Sequence, residues 1–213
     1  LLRFYIGKSY GTRPSERIDE IRAAKKSESR YVAKTLELTD SDVVLDLGPG
    51  CGFIAKEIAP TVSSLHCLDI GSSFLDFCKE ELAECKNVSL HLMDYADMSS
   101  VVDARVNKIY ALALFIHFNL YDFYHYLTSC HKVLIPKGRL LFDFLDDQYF
   151  DVEQDVWQRH SALYKQDRNS IFTNINFSNK QTVCKLLDQI GFRIVSEKYF
   201  PEPKLCYLLV EKL

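Results

Sequence analysis

Cross-linking chemistry is what this sequence has little of. Its seven cysteines (Cys51, Cys67, Cys78, Cys85, Cys130, Cys184, Cys206) form an odd set with no CxxC pair and no Cys/His ligand spacing. That pattern argues against a disulfide framework or a structural zinc site and for reduced, buried thiols of a cytoplasmic protein. No apolar stretch nears the roughly 18 residues of a membrane span, and the opening residues lack the charged and apolar segments of a secretory leader, so no membrane partner is expected. Charge of one sign is lacking too. The 26 Lys and Arg against 29 Asp and Glu leave a net −3, without the broad basic surface of a non-specific nucleic-acid binder, and no nucleic-acid partner is expected either.

What is present is core. Of 213 residues, 47% are apolar, enough for one domain without staples. From about residue 43 short apolar runs alternate with amphipathic stretches, the sequence signature of a parallel α/β sheet. Strands are expected at Val43–Leu47, Ser64–Asp69, Val88–Leu92, Lys108–Phe115, Arg139–Phe144, Arg193–Tyr199 and Leu205–Val210. Helices are expected at Phe53–Ile58, Ser73–Glu84, Tyr121–Leu134 and Lys180–Ile190, the last stopped by Gly191. Because Pro201-Glu202-Pro203 joins the final two strands tightly, the last one must run antiparallel to its neighbour. Residues 1–35 hold nine basic and four acidic side chains and suggest a helical cap beginning near Pro14; residues 145–177 mix aromatic and polar groups without a period.

Between the first strand and first helix of this pattern stands Asp46-Leu47-Gly48-Pro49-Gly50-Cys51-Gly52. Glycines there let a ligand approach the backbone at the carboxyl edge of a sheet. A dinucleotide fingerprint would need glycine at the sixth position from Gly48, where Phe53 stands, and the acid precedes the glycines. Both departures point away from a dehydrogenase.

An acid followed by GxGxG resembles the first motif of the class I S-adenosylmethionine-dependent methyltransferases, and the resemblance covers roughly residues 40–145 and the closing strand pair. It implies a Rossmann-like, doubly wound seven-stranded α/β sheet, order 3-2-1-4-5-7-6 with the last strand antiparallel, as one domain over 1–213. Residues 1–38 would be an N-terminal helical cap and 145–177 an inserted acceptor-side segment. It implies S-adenosyl-L-methionine as cofactor and S-adenosyl-L-homocysteine as product, bound by Asp46, Gly48, Gly50, Gly52, Asp69 with Ile70, and Asp94 with Tyr95. Asp69 would take the ribose hydroxyls and Asp94 would lie by the adenine amine. Carboxylates suit these tasks because they accept two hydrogen bonds and add charge to each.

Ile116-His117-Phe118 matches a later family motif, and His117 is the candidate general base for a hydroxyl acceptor; the other reading is a packed histidine that orients its loop. Tyr110, Tyr121, Tyr124 and Tyr126 read as core and helix-face residues. Arg13, Arg17, Arg22, Lys25, Lys26 and Arg30 read as a solvated helix face, or in part as ligands for an anionic acceptor. Tyr5, Tyr10, Tyr149, Phe150, Trp157 and His160 are candidates for lining the acceptor pocket. No metal is expected, because the family's metal-dependent members carry an acid where His117 stands and an Asp-Asn pair after the fifth strand, against Asp143-Phe144-Leu145-Asp146-Asp147 here. The expected activity is methyl transfer to oxygen or nitrogen of a small-molecule acceptor. Leu114-Phe115-Ile116-His117 replaces the Asn- or Asp-Pro-Pro-Tyr of amino-directed nucleic-acid enzymes. The alternative is a cofactor-binding regulatory or scaffold module without turnover.

Overall fold

The computed structural model describes residues 18–149, 161–162, 165, 175–200 and 205–213, with the side chains of 18–20, 102 and 149 left aside. Within that range the chain runs α1 (Ile18–Leu36), β1 (Val43–Leu47), α2 (Phe53–Ile58), β2 (Ser64–Asp69), α3 (Ser72–Glu81), β3 (Val88–Leu92), β4 (Val106–Ala111), α4 (Leu120–Val133), β5 (Leu134–Asp146), β6 (Phe177–Ser178), α5 (Lys180–Ile190), β7 (Phe192–Phe200) and β8 (Leu205–Lys212). The strands form one sheet in the order β3-β2-β1-β4-β5-β8-β7, with β6 pairing only the end of β5. β1 to β5 are mutually parallel where they pair, and β8 runs antiparallel to both β5 and β7. This is the expected order with one short strand added. Phe177–Ser178 has no apolar run of its own and pairs just two residues of β5, so its sequence carries no strand signal.

Two apolar layers cover the sheet. Val44, Leu65, Cys67, Tyr110, Leu141 and Leu209 meet Val32 and Leu36 of α1, Ala55 and Ile58 of α2, and Cys78 of α3. On the opposite face Leu45, Leu68, Ile109, Leu140, Phe142 and Leu208 meet Phe123, Leu127 and Cys130 of α4 and Val183 and Leu187 of α5. Burial on both sides explains why the central strands read as continuous apolar runs rather than alternating ones.

Two expected boundaries shift for physical reasons. The strand expected over Lys108–Phe115 ends at Ala111, because Ala113 takes a left-handed φ of 55° and Phe115–His117 form a 3₁₀ turn. Phe115 stays buried from that turn, packed on Phe118, Phe123 and Phe142 with ring centroids 5.0, 5.0 and 4.8 Å away; its apolarity belongs to the core but not to a strand. The fifth strand, expected from Arg139, already begins at Leu134. Pro136-Lys137-Gly138 is absorbed as an irregularity with Lys137 at φ 67°, opposite the register shift between Val106 and Lys108. The Pro14 start of the helical cap lies outside the described residues.

α4 begins where its cap dictates. The Asn119 side chain accepts from the amides of Tyr121 and Asp122, and Asp122 Oδ2 accepts from the Asn119 amide at 3.2 Å, a reciprocal capping box. Asn119→Ala is expected to cost about 1 kcal/mol of stability, measured as a lower midpoint in denaturant with an unchanged slope.

Candidate cofactor and acceptor site

The strand order reverses between β1 and β4, and the carboxyl ends of those strands flank the crevice where open α/β sheets bind ligands. β1 delivers the glycine turn there, with Gly48 at φ 74° and Gly50 at φ 56°. A Cβ on Gly48 would stand 3.1 Å from Leu114 of the loop after β4, whereas one on Gly50 would meet nothing within 4 Å. The turn is closed on the protein side and open on the crevice side, which leaves its backbone accessible.

Asp69 ends β2, next to Leu68, whose carbonyl accepts from the Gly48 amide of that turn at 2.9 Å. Its Oδ1 accepts from the Gly71 amide at 2.8 Å. Burial pushes its carboxyl above the ordinary aspartate range, opposed by the backbone amides around it, that of Gly71 first. Ile70 is 51% exposed and, with the exposed Leu92, gives an apolar rim beside the acid. Leu92 is the register partner of Asp69, so the following Asp94 and Tyr95 emerge next to it. Asp94 is exposed. Tyr95, at φ 51°, donates to Asp122 Oδ1 at 2.6 Å and accepts at its carbonyl from the Tyr126 hydroxyl at 2.9 Å, so α4 holds this corner of the site.

Asp46 is buried and accepts from the Tyr110 hydroxyl at 2.7 Å. Burial pushes its carboxyl up to about 7, against the Tyr110 hydrogen bond, with the charge of Asp69 raising it further and Lys25 lowering it. Tyr110, read from sequence as a core residue, thus belongs to the site. The signal for it was a phenol in a wholly apolar strand, which must find a partner when buried; only the register, Asp46 opposite Tyr110, says which.

His117 does not leave β4 directly as its motif suggested; it closes the 3₁₀ turn six residues beyond the strand and is half-buried. Asn176 holds that turn from outside, its side chain donating to the His117 carbonyl at 3.0 Å and its amide to the Ile116 carbonyl at 2.7 Å. Three basic residues of α1 are engaged: Arg22 reaches Glu81 at 2.8 Å, as Lys56 of α2 does at 2.9 Å, Lys26 reaches Glu57 at 3.5 Å, and Lys25 reaches Glu28 at 2.6 Å, while Arg30 is exposed on the same helix. Arg13, Arg17, Tyr5, Tyr10, Phe150, Trp157 and His160 lie outside the described residues, as does the side chain of Tyr149. Tyr126 is buried as expected, while Tyr121 is 80% exposed. All seven cysteines are free thiols. Among the described residues no three His, Cys, Asp or Glu side chains gather as metal ligands, and no helix is long and apolar enough to cross a membrane.

Residues 44–138, which hold every one of these groups except those of α1 and Asn176, match the family model described as a methyltransferase domain. They form a class I S-adenosylmethionine-dependent methyltransferase domain. Solved structures share its fold. A SAM-dependent methyltransferase from Aquifex aeolicus superposes with a TM-score of 0.65 at 15% identity, over 87% of this chain and 90% of that one. Magnesium protoporphyrin IX methyltransferase from Synechocystis PCC 6803, solved with bound SAH, gives 0.65 at 15% identity over 90% and 83%.

Among curated proteins the methyltransferase domain matches ribosomal RNA small subunit methyltransferase A of Thermotoga maritima, 26% identical over 99 residues. The match takes in 46% of this chain and 36% of that protein, so this chain spans little more than a third of that relative's length. The comparison corrects the expectation of no nucleic-acid partner. A near-balanced charge weighs only against broad, non-specific phosphate binding, and it says nothing of an acceptor recognised locally beside a cofactor fold that RNA enzymes share.

Proposed function

We propose that this chain transfers the methyl group of S-adenosylmethionine to an oxygen or nitrogen of a small-molecule acceptor. The observation that carries the reading is the glycine turn bonded to β2 through the Gly48 amide, which donates to the Leu68 carbonyl at 2.9 Å beside Asp69, an arrangement that sets a carboxylate and open backbone side by side at the sheet's switch point. Asp69 would accept from the ribose hydroxyls, Ile70, Leu92 and Tyr95 would flank the adenine, and Asp46 would face the ammonium group across the turn from Gly48. Bound there, the cofactor supplies an electrophilic sulfonium methyl and leaves as S-adenosylhomocysteine. The protein's part is placement of an in-line nucleophile and exclusion of water, and His117 takes the proton of a hydroxyl acceptor.

A second reading, methylation of RNA, is favoured by the ribosomal RNA methyltransferase relative. Incubation with methyl-labelled cofactor and, separately, a metabolite extract or purified ribosomal RNA distinguishes the two. Label in a small product supports the proposal; label confined to RNA replaces it. Cofactor binding without S-adenosylhomocysteine formation in either would mark a non-catalytic module.

Asp46 gives a pH test that needs no acceptor. Its folded carboxyl titrates near 7, and a cationic ligand group prefers it ionised, so cofactor affinity should rise as pH increases through about 7, with proton release on binding below that pH. Calorimetry across pH 5.5–8.5, roughly one and a half units either side, should show this rise in the wild type and a flatter profile in Asp46→Asn.

A further inference from the structure

Asp143 is a buried acid to which methyl transfer, as read above, assigns no task. It sits in β5 among Leu141, Phe142 and Phe144, 1% exposed. Its Oδ1 accepts from the Ala113 amide at 2.7 Å, and Tyr207 of β8, its register partner, is the tyrosine whose phenol acts on the same carboxylate. Tyr31 of α1 packs edge-on to the Tyr207 ring at 5.3 Å, and the charged groups of α1 that act on Asp143 are Lys25 and Glu28. Two strands, the loop after β4 and a helix therefore converge on one carboxylate.

The group it bonds is the hinge of the loop after β4. Ala113 adopts φ 55°, a left-handed conformation that costs a residue with a Cβ about 1 kcal/mol or more. A carboxyl oxygen aimed at its amide offsets part of that cost. The next residue, Leu114, packs on the crevice turn so closely that a Cβ at Gly48 would lie 3.1 Å from it. Three residues further on stands His117, whose turn Asn176 ties down from the other side. The loop is thus clamped at both ends, by Asp143 before Leu114 and by Asn176 after it.

We propose that Asp143 is a positioning residue, which through the Ala113 amide sets the loop that places Leu114 against the glycine turn and His117 over the crevice. It touches no substrate. The assignment rests on the methyl-transfer reading for the meaning of His117's position, but not for the clamp itself.

The test uses the full chain, isotope-labelled, with Asp143→Ala and Asp143→Asn. Asn keeps an oxygen for the Ala113 amide and should restore what Ala loses. In Asp143→Ala the Ala113 amide should exchange at least about tenfold faster with solvent and the His117 ring signals should shift. In Asp143→Asn both should stay near wild type, and S-adenosylhomocysteine affinity should remain within about threefold in each. With the acceptor found by the labelled-cofactor screen, kcat should fall at least about tenfold in Asp143→Ala with the cofactor KM unchanged. Should the Ala variant not fold, Tyr207→Phe serves instead, since it removes the hydroxyl of the register partner of Asp143 and keeps the ring: faster Ala113 exchange and a His117 shift are expected. Unmoved Ala113 and His117 signals, or equal movement in the Ala and Asn variants, would overturn the proposal. If wild type does not bind S-adenosylhomocysteine, the functional reading fails, while the amide and ring signals still decide the clamp.

Discussion

His117→Ala is expected to lower kcat by about 10²- to 10⁴-fold, the usual contribution of a positioned general base, while cofactor affinity stays near wild type. The split follows from where the residue sits. The Asp46, Gly48, Gly50 and Asp69 cluster comes from β1, β2 and the turns that follow them, whereas His117 belongs to a separate 3₁₀ turn held by Asn176 through backbone carbonyls. Removing the imidazole leaves both of those hydrogen bonds intact, because they end on the carbonyls of Ile116 and His117. A packing role alone would cost little turnover. An enzyme that binds cofactor normally and turns over within about tenfold of wild type after the substitution would remove His117 from the chemistry. His117→Gln separates the possibilities further, since it keeps hydrogen bonding but not the capacity to take a proton at neutral pH.

Asp69→Ala should be the most damaging single change to cofactor binding. Each charge-assisted bond to a ribose hydroxyl is worth on the order of 1.5 to 3 kcal/mol, so loss of one or two lowers affinity by at least about tenfold and up to about 10⁴-fold. A second effect adds to it. The Gly71 amide bonds this carboxylate at 2.8 Å, and its removal leaves that amide seeking water, while the Gly48 amide still ties the glycine turn to the Leu68 carbonyl of β2. Asp69→Asn retains an acceptor for the Gly71 amide but loses charge, so it should fall between alanine and wild type. Calorimetry with S-adenosylhomocysteine reads the affinities and a thermal melt checks that the fold survives. Wild-type affinity in Asp69→Ala would sink the assignment of the ribose site.

The parts of the site legible in sequence are those made by contiguous residues. Asp46 to Gly52 needs only its own backbone to form a strand, a turn and a helix start, and Asp69 announces itself by ending an apolar run. Gly191 likewise stops α5 with φ 103°, donating to Leu187 and Asp188 as a glycine after a helix does. What the sequence hid depends on which strands lie side by side. Tyr110 meets Asp46 across 64 positions and Ala113 meets Asp143 across 30; both pairings follow from sheet register, which local pattern does not encode. Phe115 misled in a different way, since a buried aromatic in a tight turn has the same apolar signature as one in a strand. Residues 1–38 and 145–177 were legible least, because much of them lacks a period from which to read a structure.

The placement of β8 between β5 and β7 also dictates an order of assembly. β7 precedes β8 along the chain, yet among the described residues its only neighbour in the sheet is β8, and β8 in turn joins the rest of the sheet through β5. While a ribosome is still making β8, β7 has no edge to join and β5 has half its hydrogen-bonding groups exposed to other chains. The two final strands must therefore pair with each other and dock on β5 as a single late step. A nascent chain halted between Phe200 and Leu205 should stay associated with chaperones even though β1 to β5 have all emerged.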